Sequence, residues 1–140
     1  MADSEFPIQL ERVVFTRSVV VSIQGHRPSD GEMALAGPEN KVDVAAIEGD
    51  KNAFMATMST KMNLEGSLEF PYTIDMECIG FFRVIDDKDE QAKTTGLVMV
   101  AHSVLFGAIR EAVSWLTARQ AYGQISLGLS VLRSKTPPAP

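Results

Sequence analysis

A chain of 140 residues fits one domain and can bury roughly two-thirds of the surface its unfolded form exposes, so folding needs neither a metal nor a disulfide. Its 45 % hydrophobic and 22 % charged residues exclude a disordered composition, and a formal net charge of -5 argues against a nucleic-acid partner, because phosphate neutralisation needs a basic patch. The single cysteine, Cys78, points to a reducing, cytoplasmic setting. Residues 1–12 lack the basic start and apolar core of a signal peptide, and no run approaches the ~18 apolar residues of a membrane insertion.

Residues 8–23 are rich in β-branched and aromatic side chains. Ile8 and Leu10 share one parity and Val13, Phe15, Val19, Val21 and Ile23 the other, which predicts a strand with a bulge near Glu11 and Arg12. Gly25, Pro28, Gly31, Gly37 and Pro38 then mark a long surface connection. Over residues 41–47, Val42, Val44 and Ala46 alternate with Lys41 and Asp43, and Gly49 and Asp50 make a turn. Residues 53–65 place Phe54, Ala56, Met58, Met62 and Leu64 on one side, and residues 72–84 do the same with Tyr72, Ile74, Met76, Cys78, Phe82 and Val84. Such alternation predicts an antiparallel sheet with one covered and one wet face, and a meander in sequence order is the simplest arrangement. Ile79 and Phe81 form an apolar island on the wet side.

Asp86, Asp87, Asp89 and Glu90 crowd the exit from the last strand. A calcium loop counted from Asp86 would need Gly and Glu where Gln91 and Leu97 stand, so a solvated turn is expected. A helix follows over residues 105–120, with His102 at its entrance. Stepping ~100° per residue gathers Arg110, Ser114, Thr117, Gly107, Ala118 and Glu111 into one narrow polar arc. Leu105, Ile109, Ala112 and Leu116, flanked by Val104, Ala108 and Trp115 on one side and Phe106 and Val113 on the other, spread over about 200°, roughly double what one core needs. The fold class is therefore α+β, a four-stranded antiparallel meander with one long helix on one face, and a second copy is the simplest cover for the surplus.

Residues 105–111 (Leu105, Phe106, Gly107, Ala108, Ile109, Arg110, Glu111) run without a gap to Gln124, Ile125, Ser126 and Leu127. This order is similar to that of the SecB family of bacterial export chaperones, in which a leucine, an aromatic, a Pro-Tyr-Ala-Arg-Glu run and a Leu-x-Leu-Pro segment follow a four-stranded sheet. Pro38, Glu39, Lys41, Val42, Asp43 and Val44 look like the family's second strand, and Asp75, Met76, Gly80, Phe81 and Phe82 like its Gly-Ile-Phe strand. The resemblance spans about residues 6–130.

It implies a homo-oligomer, a dimer of dimers with helices between two large sheets, and a chaperone that holds unfolded polypeptides or preproteins in apolar grooves without nucleotide, metal or other cofactor. Carried over, the client groove comprises Val42, Val44, Phe81, Ile125 and Leu127. Ile74, Met76 and Cys78 face the helix layer between subunits, and Leu105, Phe106, Ile109 and Trp115 complete the oligomer contacts. Asp75 and Glu77 lie on the outer sheet surface, where family members dock the SecA translocation ATPase. This chain departs from the pattern in three places. Ser18 and Ser22 replace docking acids of the first strand, Ala36 replaces an aromatic, and Gly128 and Leu129 stand where the Leu-Pro turn and second helix would begin. The expected domain is residues 1–132, with a flexible Pro-rich tail over residues 133–140.

Catalytic signatures are lacking. His26 and His102 have no imidazole four residues away and no thiol partner in spacing, so no zinc site is expected, and no nucleophile elbow, phosphate loop or dinucleotide fingerprint occurs. Asp75 and Glu77 share a wet strand face where a raised pKa is hard to sustain. A non-enzymatic holdase of broad specificity is the leading expectation, and an adaptor dedicated to one partner, such as a toxin–antitoxin pair, the alternative.

Overall fold

The structure, a computed structural model, describes residues 8–27, 38–85 and 90–128. The acid run Asp86, Asp87 and Asp89, Ala36 and the tail 133–140 lie outside them. Four strands, β1 (Ile8–Ser22), β2 (Glu39–Ala46), β3 (Ala53–Met62) and β4 (Tyr72–Val84), form one antiparallel sheet, and a 28-residue helix, α1 (Glu90–Thr117), packs on one face of it. The α+β class stands as expected. The strand order is β1-β4-β3-β2, so β2, β3 and β4 make the meander and β1 pairs with β4 instead of β2. The connection from Ser22 to Glu39 is long enough to reach past three inter-strand spacings, ~14 Å, to the far edge.

Strands β3 and β4 follow the predicted alternation. Phe54, Ala56, Met58, Tyr72, Ile74, Met76, Cys78, Phe82 and Val84 are buried beneath α1, and their neighbours face the open side. Leu64 departs from it: β3 stops at Met62, Asn63 takes a left-handed turn (φ 55°), and Leu64 is 52 % exposed. The Asn63 amide fixes this turn by bonding the Ser67 and Tyr72 carbonyls and accepting from the Ser67 N–H.

Strand β1 has the expected irregularity between Leu10 and Arg12, and a second between Phe15 and Arg17. The first switches the helix-side parity from even to odd and the second switches it back, so Ile8, Leu10, Val13 and Phe15 share the face under the helix, opposite Val84, Phe82, Gly80 and Cys78. Beyond the second bulge Ser18 and Val20 take that face, and Val19 and Val21 point to the open side, contrary to the single-bulge reading.

Helix α1 runs in the same direction as β1. Gly96 lies beside Ile8, and past the helix end Gln120 accepts a hydrogen bond from Ser22 Oγ and donates one to the Val20 carbonyl. It begins at Glu90, so His102 is a buried mid-helix residue stacked beside Phe106, not a helix start. Leu97, Ala101, Leu105, Ile109, Val113 and Thr117, spaced by four, form the buried stripe. At Gly80 helix and sheet meet closely: a methyl there would lie 2.7 Å from Phe82 Cε1 and 2.9 Å from Leu105 Cδ2. A larger residue there forces Phe82 or Leu105 to shift.

By length and composition Thr95–Thr117 is apolar enough to cross a membrane, with a mean hydropathy of 1.5. This exceeds what the residue runs alone suggested. In this fold the inner stripe packs on the sheet and the rest of the apolar surface is what the sheet leaves over.

Candidate functional site

The two flanks of α1 differ. On the β1 flank, Ala108, Ala112, Trp115 and Leu116 face Val13, Phe15 and Ser18 across an open cleft of about 540 Å³, with Glu111 at the rim. Trp115 is 62 % exposed, with the Arg119 guanidinium 5.3 Å from its ring centroid, and Phe15 is 40 % exposed. Two large aromatic side chains thus remain in water beside an edge strand.

The opposite flank, over β3 and β2, carries the arc that the helical wheel marked as polar, and the chain itself covers it. After the helix, Tyr122 O–H donates to the Ile23 carbonyl and Tyr72 O–H to the Gly123 carbonyl, with Gly123 at φ 85° reversing the chain. Residues 124–127 then run back along α1. Gln124 Nε2 bonds Ser114 Oγ, the Ile125 N–H donates to Thr117 Oγ1 at 3.0 Å, and Arg110 Nε donates to the Leu127 carbonyl at 2.8 Å. Leu127 is 4 % exposed and belongs to the same buried cluster as Phe106, Ile109 and Val113, and Ile125 packs against that cluster. Thr117 is consequently buried. Its hydroxyl donates to the Val113 carbonyl while accepting from Ile125.

Further along this side, at the free edge of β2, Val44, Ala46, Ile47 and Phe54 floor an open pocket of about 370 Å³ rimmed by Gly49, Asp50 and Lys51. Because Phe54 pairs with Phe82, this pocket is level with the N-terminal half of α1, the direction in which residues 124–127 point. Val42 and Val44 are half-buried on the helix side of β2, packed against the core with Ile125.

The structure therefore gathers Val42, Val44, Ile125 and Leu127 around one core and places Phe81 across the sheet, because Phe81 alternates with Phe82. On that open face Phe81 and Ile79 are half-buried next to Met55 and Val14. Asp75 and Glu77 are there too, and both are engaged: Arg17 lies 2.9 Å from Asp75 and 3.6 Å from Glu77, and Thr16 Oγ1 bonds Glu77 at 2.7 Å. A second cluster joins Arg83 to Asp50 at 3.0 Å and Glu11 at 3.7 Å. The Asn52 N–H and then Arg83 hold the Asp50 carboxyl below its ordinary range. Ile74, Met76, Cys78, Leu105, Phe106 and Ile109 are buried against one another within the chain, so of the expected oligomer contacts Trp115 is the one that offers area to a neighbour.

Burial, and then the neighbouring Glu77 charge, push the Cys78 thiol up to about 11, which removes it from nucleophilic chemistry at neutral pH. Among the described residues no group of three or more His, Cys, Asp or Glu side chains is placed to hold a metal ion. The sequence reading missed residues 124–127 as a docked segment; the signal available was the coincidence of a helical polar arc with an apolar i, i+2 pair just beyond a glycine.

The same layout occurs in solved structures. The Mycobacterium tuberculosis Rv1957 SecB-like chaperone, in complex with a ChAD peptide from the Rv1956 HigA1 antitoxin, superposes with a TM-score of 0.65 at 21 % identity, covering 89 % of this chain and 91 % of that one. The fold is SecB-like. A protein of unknown function from Streptococcus agalactiae is similar at a TM-score of 0.57 and 10 % identity, over 87 % of this chain and 97 % of that one. No protein-family model matches the chain, and no curated protein matches it significantly.

Proposed function

We propose that this protein is a non-catalytic, SecB-like chaperone that binds extended apolar polypeptide segments along the β2 side of its helix. One observation carries the reading: β2, the edge strand of the sheet among the described residues, runs beside a pocket of about 370 Å³ floored by Val44, Ala46, Ile47 and Phe54. An extended chain placed there pairs its backbone with the edge and drops alternate side chains toward the core. Apolar contact is undirected, so such a groove accepts many sequences. The β1 flank, with Phe15 and Trp115 in water, is assigned to self-association. A second reading, an adaptor dedicated to one partner, is favoured by the antitoxin peptide bound to the SecB-like neighbour.

Refolding several unrelated proteins in the presence of this one, followed by light scattering, tests the reading. Broad suppression of aggregation supports the general chaperone. Suppression of none, with one tight polypeptide partner, supports the adaptor, and absence of any polypeptide binding sinks both.

A further inference from the structure

Residues 124–127 interact with the helix as an extended ligand does. Among the described residues their backbone between Gln124 and Leu127 has no backbone partner, and the last backbone bond of the post-helix turn runs from the Gly123 N–H to the Gln120 carbonyl. Helix side chains hold it instead. Thr117 accepts the Ile125 N–H and Arg110 donates to the Leu127 carbonyl, contacts that read main chain and are indifferent to side-chain identity. Ile125 and Leu127, two residues apart, present alternate apolar side chains to the core. A trough with polar groups for a backbone and an apolar floor for every second side chain is the chemistry expected of a polypeptide-binding surface.

We propose that residues 124–127 are a built-in competitor: they fill the trough beside Arg110 and Thr117 and are displaced when an extended apolar polypeptide binds. A segment anchored by side chains and not by a ladder belongs to the easily opened part of a fold, so it can leave while the sheet and α1 remain closed. The rim continues from Leu127 past Arg110 and Gly107 as an open cleft of about 250 Å³, which gives an entering chain a place to start. Only the identity of the displacing chain rests on the function proposed above. Occupancy of the trough does not.

The first test uses a fluorescein-labelled peptide copying residues 122–128 and the full chain with and without Leu127→Ser, which weakens the occupant and leaves the trough intact. Anisotropy is expected to show at least about tenfold tighter peptide binding by the variant, the equivalent of about 1.4 kcal/mol. Equal affinity, in a variant that keeps the wild-type circular dichroism and is folded at the assay temperature, overturns the proposal. The second test needs no variant. Hydrogen exchange of the wild-type chain is followed with an excess of reduced, carboxymethylated α-lactalbumin, an unfolded polypeptide. Deprotection of the 124–127 region relative to β3 and β4 supports displacement, and unchanged exchange with the polypeptide bound overturns it. If the variant takes up the peptide while neither protein binds the unfolded chain, the competitor stands and the chaperone function fails.

Discussion

The two flanks of one helix present a controlled contrast. The β1 flank is largely apolar and left open around Trp115, while the β2 flank carries the polar arc and is closed by residues 124–127. The difference lies in a few polar atoms. Arg110, Ser114 and Thr117 bond an extended segment on one side, whereas Ala108, Ala112, Trp115 and Leu116 on the other offer mainly apolar area, with Ser18 and Glu111 beside it. Apolar area attracts; polar anchors decide whether a particular segment stays.

The largest effect is expected where both flanks are set together. Gly80→Val drives a side chain into Phe82 and Leu105 and lifts the helix, with a loss of about 3 kcal/mol in urea denaturation. Stability unchanged to within experimental scatter would mean that α1 does not approach β4 this closely. Next come Leu127→Ala and Trp115→Ala, compared directly. The first should lower stability by about 2 kcal/mol, at the low end for a buried leucine because the segment can detach instead of leaving a cavity. The second should change it by less than about 0.5 kcal/mol while reducing concentration-dependent sedimentation. Equal losses from the two would erase the contrast between the flanks.

Thr117→Val keeps the shape and removes the acceptor of the Ile125 N–H. A loss of about 1 kcal/mol is expected, with faster exchange at Ile125, and an unaltered exchange rate would show that the hydroxyl does not anchor the segment. The smallest effect concerns acidity. Burial keeps the His102 imidazole below its ordinary value of 6.5. Below pH 6.5 the unfolded chain therefore takes up a proton that the folded chain resists, so stability falls as the pH drops through that range and is insensitive to this group above it. Urea midpoints between pH 7 and pH 5 should decline less in His102→Gln than in the wild type.

Strands β3 and β4 were legible because one buried face imposes a period of two that no other element mimics: Phe54, Ala56 and Met58 against Met55, Thr57 and Ser59, and Tyr72 through Val84 residue by residue. The first bulge of β1 was legible for the same reason. The second was not, since Val19, Val20 and Val21 are equally apolar on both parities and carry no signal of a flip. The strand order was hidden because it depends on which edge a long connection reaches, a property of distance and not of pattern. The helix start was misplaced because Glu90 to Gly96 offers no strong periodicity against a core. Val42, Val44, Ile125 and Leu127 were all expected at a client groove, and the structure sets them around one core while Phe81 lies across the sheet. The packing of Ile125 and Leu127 along α1 depends on a chain reversal at Gly123, and composition does not announce where a reversed segment will dock.

The lone thiol of Cys78 lies in the seam between the two layers, its Sγ 3.9 Å from the Leu105 carbonyl and its ionisation suppressed. Alkylating reagents can reach it only when helix and sheet part, which makes its labelling rate a native clock for that separation. A bound polypeptide that merely exchanges with residues 124–127 leaves the clock running at its resting pace, whereas one that pries the layers apart speeds it up.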